Sequence, residues 1–115
     1  MHILLVEDHN DTRVALSRLL KRVGHDVTAA ASVSEAFTLL GDFAFDILLS
    51  DIGLPDGSGL QVVAEAKKQQ QFKQTVAITA FGSPVDRERG RAAGFDHYLT
   101  KPLDFGRLRA LLATA

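Results

Sequence analysis

The sequence predicts an α/β domain built on an open, doubly wound parallel sheet. Short apolar runs alternate five times with stretches of helical periodicity, which is typical of parallel strands that are buried on both faces and joined by helices. The chain has 115 residues, the length of one ordinary domain with a single core. Five strand–helix units suit an open sheet better than a closed barrel, which needs eight. We therefore expect one domain over residues 1–115.

The first unit begins with a strand at residues 2–7. A helix follows from Asn10 or Asp11, either of which could be its N-cap. Its apolar stripe has the spacing i, i+3, i+4 and i+7. The stripe consists of Leu16, Leu19, Leu20 and Val23. Gly24 is the predicted stop, because glycine is the usual residue just beyond a helix end.

The second unit has a short strand at residues 26–30. Ser32 or Ser34 is the predicted cap of the helix that follows. This helix is expected to run through Leu40 and to end at Gly41.

The third unit has a strand at residues 46–50, which reads Asp-Ile-Leu-Leu-Ser. A turn at residues 55–59 leads into a helix over residues 60–69. The turn is predicted from its proline, aspartate and glycine residues.

The fourth unit has a strand at residues 75–79, and its helix begins at Ser83-Pro84, with proline in the first turn. Gly90 lies inside this helix, which has little apolar stripe. We expect it to be the least stable of the five helices.

The last unit has a strand at residues 96–99, and Leu103 or Asp104 opens the last helix. The apolar stripe of this helix is Phe105, Leu108, Leu111 and Leu112.

Composition and charge exclude several classes of function. The content of 46% hydrophobic and 23% charged residues is that of an ordinary soluble globular protein. A net charge of -1 provides no field that would attract nucleic acid or an anionic membrane. The absence of cysteine removes disulfides and thiolate chemistry. The N-terminal apolar run is four residues long, too short for a signal peptide or a membrane span. We expect a cytoplasmic domain with no direct contact to nucleic acid or membrane.

Polar residues stand where four of the predicted strands end. Glu7 and Asp8 follow the first strand, Asp51 the third, Thr79 ends the fourth and Lys101 lies just past the fifth. The carboxyl ends of parallel strands open onto one crevice, where ligands bind. Three carboxylates, a hydroxyl and an ammonium group are therefore expected on one rim.

These motifs, taken in order, resemble the response-regulator receiver domain of two-component phosphorelays over the whole chain. The matching positions are Glu7-Asp8, Asp51 with the stretch Gly-Leu-Pro-Asp-Gly-Ser-Gly at 53–59, Thr79-Ala80 and Lys101-Pro102. The resemblance implies a flavodoxin-like fold, a five-stranded parallel sheet of order 2-1-3-4-5 flanked by five helices. It implies that Asp51 takes a phosphoryl group from a histidine kinase or a histidine phosphotransfer domain. Residues 93–102 look most like receivers attached to hybrid sensor histidine kinases.

Physical chemistry supports these roles independently. A carboxylate can attack phosphorus and form an acyl phosphate. Two unit charges 4 Å apart repel by about 4 kcal/mol at an effective dielectric constant of 20, so an acidic site needs a cation to receive an anionic phosphoryl group. Mg²⁺, or Mn²⁺ in its place, prefers oxygen ligands and phosphate. The resemblance assigns metal ligation to Asp8, Asp51 and the Gly53 carbonyl, with Glu7 acting mostly through water.

The resemblance also assigns roles to the other rim residues. Lys101 would hold one phosphoryl oxygen as a compact positive charge, and Thr79 would donate a hydrogen bond to another. The family's peptide bond at Lys101-Pro102 is usually cis, and we expect it to be cis here. Such a domain catalyses its own phosphorylation and dephosphorylation rather than turning over a released substrate.

Tyr98 lies three residues before Lys101, where the family carries its switch aromatic. There, Thr79 moves toward the phosphoryl group and the aromatic ring turns inward. The output would be a change in the fourth helix, fifth strand and fifth helix, and a downstream protein would bind this Tyr98 face. Gly53 and Phe81 occupy positions that tune hydrolysis of the acyl phosphate in the family, and they predict a fairly long-lived phosphoryl state.

Three other classes of protein fit these residues less well. A receiver-like module that only binds partners would lack part of the site, and all of the expected residues are present. An FMN carrier would need a phosphate loop after the first strand, where this chain has acidic residues. An aspartate-nucleophile phosphatase needs a second acid two residues beyond the nucleophile, where this chain has Gly53.

The four histidines lack metal-motif spacing. His9 could touch a metal's water shell, but an ordinary surface histidine is the expectation.

Overall fold

A computed structural model describes residues 1–80 and 82–114 of the chain. The strands in chain order are β1 (His2–Val6), β2 (Asp26–Ala30), β3 (Ile47–Asp51), β4 (Gly53–Leu54), β5 (Gly57–Ser58), β6 (Gln74–Thr79) and β7 (His97–Thr100). The helices are α1 (Asn10–Arg22), α2 (Val33–Asp42), α3 (Gly59–Gln69), α4 (Pro84–Ala93) and α5 (Phe105–Leu112).

The main sheet has five parallel strands in the order β2-β1-β3-β6-β7. With the short β4–β5 pair set aside, this is the order 2-1-3-4-5, and the expected fold is confirmed. Val6 pairs with Ser50, and Asp51 pairs with Ile78. Thr79 pairs with Thr100, directly before Lys101. The strand ends therefore meet along one rim of the sheet.

Apolar side chains fill both faces of the sheet, as a parallel sheet covered by helices requires. All five residues of β3 are buried. One core cluster joins the sheet to α2 and α3 through residues such as Leu4, Leu48, Leu40 and Val63. The other joins it to α1 and α5 through Ile3, Leu49, Leu20 and Leu108. The rim residues are thus anchored to strands whose positions are set from both sides.

The predicted cap of α1 is wrong. Neither Asn10 nor Asp11 occupies the N-cap, which is His9, and the His9 side chain makes no cap hydrogen bond. The Asn10 side chain instead accepts a hydrogen bond from Arg13 Nη2 at 2.7 Å. Gly24 has φ +99 just beyond the helix, in the left-handed region that favours glycine, so the predicted stop is confirmed.

Gly41 does not end α2. The helix continues to Asp42, and the backbone of Phe43 closes it by donating to the Leu39 carbonyl at 2.9 Å. Glycine stops a helix when it takes a left-handed conformation, and among the described glycines only Gly24 and Gly94 have positive φ. Ser32 caps the start of α2 by accepting from the Glu35 amide, one of the two caps expected.

The stretch after Asp51 is more ordered than a simple turn. β4 and β5 form a small antiparallel pair, with Gly53 opposite Ser58. Ser58 and Gln61 form a capping box at the start of α3, so this helix begins at Gly59, one residue earlier than predicted.

The remaining elements agree with the prediction to within one residue at each strand end. Ser83 caps α4, which has Pro84 in its first turn, and Asp104 caps α5. The Lys101-Pro102 peptide bond is cis, as expected. None of the helices in the described parts of the chain is long and apolar enough to cross a membrane.

Candidate functional site

Asp51 lies at the end of the central strand β3, with 8% of its surface exposed. Both carboxylate oxygens have partners. Oδ1 accepts a hydrogen bond from the Ile52 amide at 2.8 Å, and Oδ2 accepts one from Lys101 Nζ at 2.8 Å. The carboxylate is therefore held in one orientation on the rim, with its charge matched by an ammonium group.

Glu7 follows β1 and is 4% exposed. Its Oε1 accepts a hydrogen bond from Lys101 Nζ at 3.1 Å. Burial raises the pKa of Glu7 above its ordinary value, and the nearby Asp51 carboxylate raises it further, while the hydrogen bond from Lys101 acts in the opposite direction. The two carboxylates share one cation and repel each other.

Lys101 bridges these two acids from the loop after β7. Burial alone would lower the pKa of its ammonium group, but the hydrogen bonds to Asp51 and Glu7 outweigh burial and raise the pKa above its ordinary value. Lys101 therefore stays charged at neutral pH, and a neutral amine would leave two buried carboxylates without a counter-charge.

Arg13 fixes the loop that carries the acidic pair, a role that the sequence reasoning missed. Its Nη1 donates to the Glu7 carbonyl at 2.9 Å and to the Asp8 carbonyl at 3.3 Å. Both are backbone contacts from the first turn of α1. A guanidinium group suits this position because its planar donors can bind two carbonyls at once.

Asp56 anchors the loop after Asp51 to the start of α2, and this contact was also missed. Its Oδ1 accepts from the Val33 amide at 2.8 Å, and its Oδ2 accepts from the Ser34 amide at 3.0 Å. The hydrogen bonds from Ser34 and Val33 lower the pKa of Asp56. Gly53 lies three residues before this anchor, in β4, so its backbone is held by both the hairpin and Asp56.

Gly59 is required at the start of α3 because of its closeness to the phosphoacceptor candidate. A Cβ at this position would lie 2.1 Å from the backbone carbonyl oxygen of Asp51. Any larger residue would push α3 away from the end of β3. Gly53 is different, since a Cβ there would meet no atom within 4 Å.

The acidic residues fit a bound cation. Oxygen atoms of Glu7, Asp8 and Asp51 and a ring nitrogen of His9 all lie within 4.8 Å of one another. Asp8 Oδ1 is buried and accepts no hydrogen bond from the described residues. A buried carboxylate oxygen without a partner is costly, and a divalent cation would satisfy it. The donor set is mostly oxygen, which suits a hard ion.

Thr79 ends β6 and is 1% exposed, while Tyr98 in β7 is half-buried. Burial raises the pKa of Tyr98, and a hydrogen bond with Thr79 acts in the opposite direction. The Tyr98 ring packs against α4, where a Cβ on Gly90 would lie 2.9 Å from the ring. The two residues of the predicted switch are thus in contact. Phe81, the predicted tuning position, lies outside the described residues.

A cavity of about 210 Å³ opens next to Asp51 and Lys101. Its walls are mostly apolar, and they come from β1, β6, α1 and the loop before α5. Besides the site residues, the lining includes Leu16, Ile78, Pro102 and Leu103. The aliphatic part of Lys101 lies along this apolar wall, which is a common arrangement for lysine.

The fold and rim together define an α/β domain with a buried aspartate at the end of its central strand, matched by lysine and flanked by two further acids. The response regulator receiver domain family matches residues 3–113 of the chain. The chain belongs to this family, as its motifs indicated.

Two relatives in Pseudomonas aeruginosa are similar in sequence. The chain is 42% identical to the response regulator protein PilR over 112 residues, which are 97% of this chain and 25% of PilR. It is 36% identical to the two-component response regulator PhoP over 112 residues, which are 97% of this chain and 50% of PhoP. The chain thus spans a quarter to a half of the length of these relatives.

Two solved structures share the fold. The Vibrio cholerae chemotaxis protein CheY4 has a TM-score of 0.90 and 28% identity, covering 98% of this chain and 96% of that one. A response regulator from Burkholderia pseudomallei, solved with a phosphorylated aspartic acid, a calcium ion and citrate, has a TM-score of 0.89 and 28% identity. That match covers 95% of this chain and 64% of the Burkholderia chain.

Proposed function

We propose that Asp51 is the phosphoacceptor of a two-component phosphorelay and that its donor is a phosphohistidine on a histidine kinase or a histidine phosphotransfer domain. The observation that carries this proposal is the Asp51 carboxylate, fixed by Ile52 and Lys101 beside an Asp8 oxygen that accepts no hydrogen bond from the described residues. The phosphorylated aspartic acid in the Burkholderia pseudomallei relative supports the same chemistry.

The transfer exchanges one bond to phosphorus for another. A carboxylate oxygen of Asp51 attacks the phosphorus, the new O–P bond forms, and the N–P bond to the donor imidazole breaks with its electron pair staying on nitrogen. The product is an acyl phosphate. Lys101 already lies within hydrogen-bonding distance of Asp51, so a small movement would place its ammonium on a phosphoryl oxygen. Thr79 would donate to a second oxygen.

The cation of this site is proposed to be Mg²⁺ or Mn²⁺, held by Asp8, Asp51 and the Gly53 carbonyl, with Glu7 acting through water. When bound, it supplies the positive charge that lets an anionic phosphoryl group approach three carboxylates. The Arg13 contacts to the β1–α1 loop and the Asp56 contacts to the β3–α3 loop would hold these ligands in place.

Phosphorylation is proposed to act on a downstream protein through the Tyr98 face. Thr79 contacts both the rim and Tyr98, so a movement of Thr79 toward the phosphoryl group would free space for the ring. This face is formed by α4, β7 and α5. A cytoplasmic location is proposed with it, since the phosphodonors of this family act there.

The test is intact-protein mass after incubation with acetyl phosphate and Mg²⁺. Wild type should gain one phosphoryl group, and Asp51→Asn should gain none. Asp26→Asn, at an exposed position at the opposite end of the sheet, is the matched control and should behave as wild type. A chelator should abolish the gain. If wild type binds Mg²⁺ but gains no mass, the chain is a receiver-shaped interaction module and the proposal is wrong.

The lifetime of the phosphoryl group can be followed on the same samples. Gly53 has no side chain with which to place a water molecule, and Phe81 at the second tuning position is bulky and apolar. We expect the acyl phosphate to persist for minutes or longer after the donor is removed. Loss of the added mass within seconds would contradict this prediction.

A further inference from the structure

The imidazole of His9 lies beside the acidic cluster and has no part in the phosphoryl transfer described above. Its Nδ1 is 3.5 Å from Asp8 Oδ1 and 3.7 Å from Glu7 Oε2. Both oxygens belong to the β1–α1 loop. Asp8 Oδ1 is one of two buried side-chain atoms that have no hydrogen-bond partner among the described residues.

The backbone of His9 is held on both sides, and its side chain is exposed to solvent. Its amide donates to Glu7 Oε2 at 3.4 Å, and its carbonyl accepts from the Arg13 amide at 2.9 Å. His9 is the N-cap of α1, but its side chain makes no cap hydrogen bond. The side chain is 72% exposed. Its ring therefore already lies beside the carboxylates, with the main chain held in position.

The spacing of these atoms suits one metal ion. With bonds of about 2.0–2.2 Å, two ligand atoms on a single ion lie roughly 3–4 Å apart. The distances from the His9 ring to Asp8 and Glu7 fall in this range. Together with Asp51, these residues make a group of four, and each offers one ligand atom that lies within 4.8 Å of the ligand atoms of the other three.

The nitrogen donor changes which ions the site prefers. Mg²⁺ takes oxygen ligands and keeps its water, so it gains little from an imidazole. Zn²⁺, Ni²⁺, Co²⁺ and Cu²⁺ bind imidazole nitrogen well. We propose that His9 converts the acidic rim into a mixed nitrogen–oxygen site that selects these transition-metal ions over Mg²⁺, with Asp8 as the shared ligand.

This inference rests on the proposed metal site and adds a consequence for it. An ion bound by His9 and Asp8 occupies the position that Mg²⁺ needs, so the two classes of ion compete. Transition-metal ions would then reduce phosphorylation of Asp51 at a fixed Mg²⁺ concentration, and His9 would set how sensitive the domain is to them.

The first experiment compares Ni²⁺ and Mg²⁺ affinities by calorimetry for wild type and His9→Gln, using protein without a polyhistidine tag. In wild type, Ni²⁺ should bind more tightly than Mg²⁺ and should be displaced by excess Mg²⁺. His9→Gln should weaken Ni²⁺ binding by about tenfold or more and leave Mg²⁺ affinity within about twofold, since only one ion uses the nitrogen.

Two control variants locate the effect. His25 lies near the N-terminal amine, and these two groups together form a second place where Ni²⁺ could bind. His25→Gln removes that second place and should leave the affinity of the His9 site unchanged. Asp8→Asn should weaken both ions, because the proposal gives them this ligand in common. Pulsed electron paramagnetic resonance with Cu²⁺ gives a direct readout, in which the imidazole nitrogen coupling of wild type should be lost in His9→Gln and kept in His25→Gln.

The outcomes separate the two proposals. If Mg²⁺ fails to bind wild type, the proposed metal site is wrong. If Mg²⁺ binds and supports phosphorylation, but His9→Gln leaves the Ni²⁺ affinity and the Cu²⁺ nitrogen coupling unchanged, only the role of His9 is wrong.

Discussion

Lys101 contributes a positively charged ammonium group to the acidic rim. Its ammonium lies 2.8 Å from Asp51 and 3.1 Å from Glu7, so it offsets part of the repulsion among the carboxylates. The same charge opposes the approach of a divalent cation to those oxygens. The residue would therefore lower the affinity of the proposed site for metal while it stabilises the metal-free domain, and in the proposed function it would become a ligand of the phosphoryl group after transfer.

Replacing Lys101 with methionine should separate these effects. We expect Mg²⁺ to bind roughly fivefold more tightly, because removing a screened repulsion on the order of 1 kcal/mol changes affinity by that factor. Phosphorylation should slow, since a phosphoryl oxygen loses its cation. Calorimetry measures the first effect and intact mass over time measures the second. Lys67→Met, which removes the lysine paired with Asp96 at 3.5 Å, is the control and should change neither. Weaker Mg²⁺ binding in Lys101→Met would contradict this account.

Two helical glycines, Gly41 and Gly90, have different surroundings. Substituting each of them with alanine therefore distinguishes the effect of helix propensity on stability from the effect of tertiary packing. Gly41 lies in α2 with no atom within 4 Å of its would-be Cβ, whereas at Gly90 in α4 the Cβ would lie 2.9 Å from the Tyr98 ring. Gly41→Ala should raise the free energy of unfolding by about 0.5–1 kcal/mol through helix propensity alone. Gly90→Ala should gain less, because the ring must move away.

The position of the Tyr98 ring is the readout for that pair of variants. Its proton resonances should shift in Gly90→Ala and stay unchanged in Gly41→Ala. The Gly90→Ala variant could instead be as stable as Gly41→Ala and leave the Tyr98 ring unmoved. That result would mean that α4 and β7 separate easily and that Gly90 does not set the position of the ring.

The contact between Asp56 and α2 predicts a pH dependence of stability. Hydrogen bonds from Ser34 and Val33 hold the pKa of Asp56 below its ordinary value of 3.8 in the folded state. A carboxylate with a lowered folded pKa contributes stability above its unfolded pKa, and this contribution is lost as pH falls through the folded pKa. Asp56→Asn keeps one acceptor oxygen and should be less stable than wild type at pH 6. The gap between the two, measured by urea unfolding, should shrink at pH 3. A gap of constant size would show that the charge of Asp56 does not matter.

Across the whole molecule, the sequence predicts best what repeats along the chain. The alternation of strands and helices and the rim residues Asp51, Thr79 and Lys101 follow from apolar runs and from the residues at their ends, whereas the strand order followed from the resemblance to the receiver family. Contacts between distant segments could not be predicted in this way. Asp56 meets Val33, which is 23 positions away, and nothing local marks that pairing. The cap of α1 was also wrong, because Asn10 has a good cap side chain but lies one residue inside the helix.

The distribution of buried side chains over the helices predicts where the molecule opens first. In α4 the only buried residue is Gly90, which has no side chain, while α3 buries Gly59, Val62, Val63 and Ala66. Few apolar contacts mean a low free energy of local opening. We expect amide hydrogens in α4 to exchange roughly tenfold or more faster than those in α3, as measured by mass spectrometry or NMR.

The same measurement tests how the rim is coupled to the Tyr98 face. Beryllium fluoride with Mg²⁺ mimics an acyl phosphate on Asp51, and it should change exchange in α4 and β7 more than in α2, because Thr79 and Tyr98 connect the rim to that side of the sheet. Asp51→Asn should show no such change. Equal protection of α3 and α4 in the free protein would contradict the low stability of α4. If the response is spread evenly over all helices, binding tightens the whole domain. In that case α4 is not the element that carries the signal.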